Sequence, residues 1–210
     1  MQFNPYESLF LNYLLLLLFA LGIVIKTRSQ QTPITKALFG GFSLFASANL
    51  FGIVALVLSG YPYTHFELAQ ALFFIVDVLT SAGYATVAYQ LSSKSKSDFR
   101  KNAGIVVISG LLALWGFFTY TIEGSHNYGA FTTLVWAVAA ISALLALTRA
   151  AAPRLVIAGF AAYLVSAVID TGFANEPVTL LANFGSAVGS LLVFIGILKW
   201  QGTTRKRTKK

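Results

Sequence analysis

Seven uninterrupted apolar runs decide what this chain can fold into. They lie at 9–25, 37–58, 68–91, 103–122, 130–147, 155–173 and 178–198. A helix needs about 20 apolar residues, within a range of about 17–25, to cross the hydrocarbon of a bilayer, and each run meets that length. The alternating pattern of a transmembrane β-barrel, in pieces of about ten residues, is absent. Only 10% of the 210 residues are charged and 57% are hydrophobic, against about 25% charged in a soluble domain. The runs therefore predict an all-α fold. It is a polytopic membrane protein of seven transmembrane helices filling residues 1–200, followed by a basic tail at 201–210.

Charge sets the expected orientation. Lys26, Arg28 and Lys36 flank the first loop, and Lys94, Lys96, Arg100 and Lys101 lie in the third. Arg149 and Arg154 lie in the fifth, and Lys199, Arg205, Lys206, Arg207, Lys209 and Lys210 end the chain. These are all fifteen Lys and Arg residues, and all fall on one side of the seven crossings. The positive-inside rule then puts the amino terminus outside and the carboxyl terminus in the cytoplasm, with the cell membrane as the expected location. Glu7, Glu67, Glu123, Glu176, His65 and His126 fall on the outer side. Tyr6, Tyr61, Tyr63, Tyr120 and Tyr128 read as an outer aromatic belt, and Trp200 as an inner anchor. The first run has no basic region before it and no small-residue cleavage site after it, so it reads as a signal-anchor rather than a cleaved signal peptide. The tail is expected to contact anionic inner-leaflet lipids. Its charges are not interleaved with aromatic residues, so a nucleic-acid partner is not expected.

The prolines agree with these boundaries. Pro5, Pro33, Pro62, Pro153 and Pro177 all avoid helix interiors, where a missing N–H and a clash with the preceding turn would break the helix. Asn175 before Glu176-Pro177 reads as a helix cap. The loops also suggest a duplication. Runs one to three (9–91) and five to seven (130–198) share one alternation of loops, and run four (103–122) would link two parallel units. Phe45-Ala46-Ser47-Ala48 against Leu164-Val165-Ser166-Ala167 is a thin echo of it. The bland reading is that any seven-helix chain with short loops alternates in this way.

An ionisable residue inside the membrane is a functional candidate by default. Asp77 lies nine residues inside the third run, about 13 Å deep at 1.5 Å per residue. Asp170 lies nearer the outer mouth of the sixth. Glu67, Gln70, Asp77, Ser81 and Tyr84 recur at helical spacing, with Thr80 beside them, and a polar stripe of that length belongs against the bundle interior or a cavity. Asn49 in the second run and Asn183 in the seventh reach a similar depth. Ser186 and Ser190 share a face with Asn183, and Ser166 shares one with Ala162 and Asp170. Together these residues are expected to form an outward-facing pocket around Asp77. The structural alternative is that the same side chains only hydrogen-bond helix to helix. Gly185 and Gly189 form a Gly-x-x-x-Gly pair, and Gly40, Ser43 and Ser47 a small face; both read as helix packing within the chain.

Several chemistries are excluded. There is no cysteine, so disulfides, thiolate catalysis and Cys-ligated metals are out. His65 with Glu67, and Glu123 with His126, read as solvated loop residues rather than a metal site. Neither histidine is placed to ligate haem in the membrane, and Ser109 has no membrane histidine to make it a nucleophile. No enzyme and no cofactor are expected.

Seven helices with an outer amino terminus also describe microbial retinal proteins, but their lysine is missing from Asn183-Phe184-Gly185-Ser186-Ala187-Val188-Gly189. The three-plus-one-plus-three order resembles the topology of SWEET sugar transporters, in which polar residues of the third and seventh helices contact the solute. Asp77 and Asn183 lie on those two runs. The Pro-Gln motif of that superfamily is missing, and Gln31-Thr32-Pro33 does not replace it, so the resemblance is one of topology. The leading expectation is a transporter or channel for a small polar or cationic solute, held by Asp77, Asn183, Asn49, Gln70, Ser81, Tyr84 and Asp170. The alternative is a heptahelical sensor, receptor-like module or accessory subunit, with a partner subunit or a second copy of the chain.

Overall fold

A computed structural model describes the backbone of residues 5–29, 32–59, 66–92, 127–172 and 176–207, and the side chains of 7–29, 32–58, 71–92, 135–166, 168–169 and 181–200. All regular structure in these residues is helical: α1 (Pro5–Arg28), α2 (Pro33–Ser59), α3 (Phe66–Ser92), α4 (Asn127–Arg149), α5 (Arg154–Gly172) and α6 (Glu176–Arg207). The fourth apolar run, the cap residue Asn175 and the outer-loop histidines lie outside the described residues.

All of these helices except α5 outrun their apolar stretches at both ends, because backbone hydrogen bonding continues into the polar interface once the hydrocarbon ends. Pro5 and Pro33 are first residues of helices, where the missing N–H costs nothing. At the start of α2 the Thr35 N–H donates to Thr32 Oγ1 at 3.2 Å, and the Lys36 N–H to the Thr32 carbonyl at 3.0 Å, so Thr32 acts as the cap. The turn from α4 to α5 is closed differently. The Ala152 N–H donates to the Leu147 carbonyl (3.0 Å) and the Ala151 N–H to the Thr148 carbonyl (3.1 Å), with Ala151 in the left-handed region at φ 53°. That pair of bonds is a Schellman cap, and Pro153 follows at once to stop the helix.

The six helices close into a ring, each packed on its neighbour from α1 round to α6, and α6 back on α1. Four stretches are long and apolar enough to cross a membrane: Glu7–Arg28, Pro33–Leu58, Ala71–Ser92 and Leu181–Trp200. Val135–Arg149 and Arg154–Ser166 are shorter apolar stretches of α4 and α5. On α1 and α4 large apolar side chains stand on the outer face. Leu11, Leu15, Leu18, Leu21 and Ile25 make an exposed stripe down α1, and Val138, Ile141 and Leu145 do the same on α4. The inner face of α4 is Ala139, Ala140, Ala143 and Ala146, all buried. Lipid tails reward no hydrophobic burial between helices, so small residues that let backbones approach drive packing, and leucines face out. Hydroxyls on outer faces bond back to their own helix: Ser43 to the Phe39 carbonyl, Ser47 to Ser43, Ser142 to Val138 and Thr148 to Leu144, at 2.7–3.1 Å. These four hydroxyls therefore do not meet lipid unpaired. Of the small face read on the second run, Gly40 packs toward Thr86 and Gln90 of α3, while Ser47 is exposed.

Two glycine pairs set the closest approaches. A Cβ on Gly41 would sit 2.9 Å from the Gly83 carbonyl oxygen, and one on Gly159 would sit 2.6 Å from that of Gly189. Each meeting has the same surroundings. Gly41 and Gly159 also touch the valine four residues past the opposite glycine, Val87 and Val193. Gly41 is followed by Phe42 and Phe45, and Gly159, at the same spacing, by Phe160 and Tyr163. The contacts also fix direction. Gly40 meets Thr86 and Gln90, and Gly196 meets Val156, so α2/α3 and α5/α6 are antiparallel. Asn12 meets Asn183 and Gly22 meets Phe194, so α1 and α6 are parallel.

Candidate functional site

The ring encloses a cavity of about 200 Å³, lined by all six helices. The amide end lies toward the starts of α1 and α6. There Asn12 Nδ2 donates to Asn183 Oδ1 at 3.1 Å, bridging the seam where the ring closes. Asn49 comes in from α2, anchored by its Nδ2 on the Phe45 carbonyl at 2.7 Å. Trp136 of α4 lines the wall, its indole N–H donating to the Asp77 carbonyl at 3.2 Å. Hydroxyls of Thr80, Ser166, Ser186 and Ser190 complete the polar lining.

The other end is aromatic. Phe42 and Phe45 of α2, Tyr84 of α3, and Phe160 and Tyr163 of α5 pack ring to ring. Phe42–Phe45, Phe45–Tyr84 and Phe160–Tyr163 have centroids 5.1, 4.8 and 5.9 Å apart, edge to face. That arrangement suits the ring quadrupole. Phe42, Phe45, Tyr84 and Tyr163 line the cavity, and Phe160 is wholly buried behind them. The Tyr163 hydroxyl lies 2.5 Å from Ser190 Oγ. Ser190 also bonds to the Ser186 carbonyl at 3.1 Å. A serine has one proton to give. With it committed to Ser186, Tyr163 is the donor to Ser190, and the phenolic oxygen keeps its acceptor capacity.

Of the residues expected from sequence, Asn49, Tyr84 and Asn183 line this cavity, with Thr80, Ser166, Ser186 and Ser190. Asp77 and Ser81 are not in the lining. Asp77 is half-buried and Ser81 buried. At about 100° per residue, Val76, Thr80 and Tyr84 fan across about 80° of α3; Asp77 falls about 20° beyond Tyr84, at the edge of the cavity face, and Ser81 about 60° beyond Tyr84. The side chains of Gln70 and Asp170 lie outside the described residues. Sequence reasoning passed over Asn12, Tyr13, Trp136 and Tyr163. Two signals were available: an asparagine within the first apolar run, and the recurrence of Gly-Phe-x-x-aromatic at 41–45 and 159–163. Gly185 and Gly189 pack within the chain, on Ser166 and Gly159 of α5.

At the opposite end from the amides, Ala151, Pro153, Arg154, Leu155, Gly196, Lys199 and Trp200 form an open cleft. Among the described residues no cluster of His, Asp or Glu could hold a metal ion.

Fold and cavity together define a class: a helical integral membrane protein with a polar and aromatic chamber inside a ring of helices. No known protein family, curated protein or solved structure matches the chain.

Proposed function

We propose that the chain is a membrane transporter that holds a small polar solute in the central cavity. One observation carries this reading: amides and hydroxyls from five helices converge on one space inside a bundle whose outer surface is leucine, valine and phenylalanine. Polar side chains that served only as helix-to-helix glue would be used up in pairs. Here Asn12, Asn183, Asn49 and Tyr163 each retain donor or acceptor capacity after their observed bonds, around a volume large enough for a solute.

The moving parts proposed are two three-helix halves, α1–α3 and α4–α6, each locked by one glycine pair. Counting back from Gly83 and Gly189 brings Thr80 opposite Ser186 and Asp77 opposite Asn183, which supports a duplication. This register pairs Phe45 with Tyr163, one residue off the echo read from sequence. If α1 runs inward, so do α3, α6 and α4, the last because a four-residue turn joins it to α5. The 103–122 run would supply the return crossing between α3 and α4, for seven spans in all. The basic residues after the cleft, Arg205 to Lys210, would rest on anionic lipid.

Uptake by vesicles reconstituted with the full chain tests the function. Radiolabelled small polar solutes, charged and uncharged, are offered one at a time. At least one should enter faster than into protein-free vesicles, and the cavity-filling variant Ser186→Leu should stop it while the lipid-facing Ser142→Ala should not. Entry no faster than into protein-free vesicles for every solute would overturn the reading.

A further inference from the structure

The cavity's own chemistry selects among polar solutes. Resting on the transporter reading above, we infer that it takes an uncharged solute, one with hydroxyl or amide groups on one side and an apolar face on the other.

The described lining consists of neutral groups. Asn12, Asn49 and Asn183 supply amides, Thr80, Ser166, Ser186 and Ser190 hydroxyls, and Tyr84 and Tyr163 phenols. An ion entering this space would leave its hydration behind and meet dipoles but no opposing charge among those residues, and neutral dipoles replace ion hydration poorly. The acid that would have served a cation, Asp77, is not among the lining residues; its backbone carbonyl accepts the Trp136 indole N–H at the edge of the cavity face. A neutral solute faces a smaller desolvation cost, and the cavity offers both donors and acceptors in exchange for those of water.

The groups are also of both kinds. The Asn12–Asn183 bond uses one N–H and one lone pair. By stoichiometry it leaves an acceptor on Asn12 and two N–H donors on Asn183. Tyr163, donating to Ser190, presents an acceptor oxygen at the other end. A solute that both donates and accepts fits this set, whereas a purely accepting anion or a purely donating cation does not. The rings of Phe42, Phe45 and Tyr84 require the rest of the solute to be apolar and compact. At about 200 Å³ the space is below the roughly 300–1,000 Å³ of sites for drug-sized ligands.

Charge-matched probes separate this inference from the function it rests on. Vesicles holding the full chain are offered radiolabelled glucose and nicotinamide, both uncharged. The charged set is nicotinate and 1-methylnicotinamide, methylated on the ring nitrogen, which keep the shape of nicotinamide but carry a negative and a positive charge, and choline. Initial uptake is referred to protein-free vesicles. Expected is entry of at least one uncharged probe, with every charged probe at least about tenfold slower. Uptake of that probe should fall about tenfold in Asn183→Leu, the loss of one or two hydrogen bonds, and less in Asn183→Gln. Thermal unfolding confirms that the variants are folded. Uptake led by a charged probe overturns the class and leaves the transporter reading standing. Uptake of an uncharged probe that is unchanged in folded Asn183→Leu moves the site elsewhere and overturns the inference. Entry of no probe overturns both.

Discussion

At Ala151 the backbone takes a φ of 53°, a conformation that costs a residue with a Cβ about 1–2 kcal/mol and glycine nothing. Ala151→Gly removes that cost but adds freedom to the unfolded chain, worth about 0.4–1 kcal/mol. The net expectation is a gain of about 0.5–1 kcal/mol, read as a raised midpoint of thermal unfolding in detergent. The glycine pairs work in the opposite sense. A Cβ at Gly159 would press on the Gly189 carbonyl at 2.6 Å, and neither backbone can move aside without shifting a helix. Gly159→Ala should therefore destabilise by about 1–3 kcal/mol, the usual cost of overpacking. At Gly22 the nearest group is the end of the Phe194 ring, at 3.1 Å. A ring can tilt, so Gly22→Ala in the same unfolding assay is the tolerated control. At single residues the sequence decides least. Polarity picked out Asp77 and Ser81, yet polarity does not say which way a helix is turned. Val76, Thr80 and Tyr84 face the cavity although the first of them is apolar, and only contacts with α2 and α4 decide that rotation.

Among elements, the seam between α1 and α6 joins helices from opposite ends of the described sequence, so no connecting segment closes it. Asn12 and Asn183 bridge it at 3.1 Å. Hydrogen bonds between membrane helices average about 0.6 kcal/mol and reach about 1.7. A double-mutant cycle on Asn12→Ala and Asn183→Ala should give a coupling in that range, measured by unfolding. A coupling near zero would show the seam held by packing alone, through contacts such as Gly22 with Phe194. Helix existence was the most legible property of this sequence: six of the seven apolar runs coincide with α1–α6, since length and apolarity are all that a bilayer demands. Helix ends were less legible. The 178–198 run becomes α6 from Glu176 to Arg207, because charged residues beyond the hydrocarbon end the apolar pattern but not the backbone hydrogen bonding. The aromatic cluster was hidden for another reason. Phenylalanine and tyrosine serve equally against lipid and in a core, and composition does not separate the two.

For the whole molecule, direction is the property that binds the ring to the membrane. Parallel α1 and α6 require that Glu7 and Glu176 emerge on the same side, whatever that side is; the distribution of Lys and Arg predicts the outside, and labelling tests it. The chain has no cysteine, so each introduced cysteine is a unique reporter. In whole cells a membrane-impermeant maleimide should label Glu7→Cys and Glu176→Cys, and should reach Lys36→Cys and Lys199→Cys only after the membrane is opened. The return crossing is tested with the same reagent at Lys94→Cys and Glu123→Cys, which flank the 103–122 run. Reversal of α4 into α5 at a four-residue turn makes α3 and α4 parallel, and two parallel helices joined in sequence need a crossing between them. Glu123→Cys should label from outside and Lys94→Cys should not. Labelling of both from one side would remove the seventh span, and with it the two-unit arrangement on which the rocking of α1–α3 against α4–α6 depends.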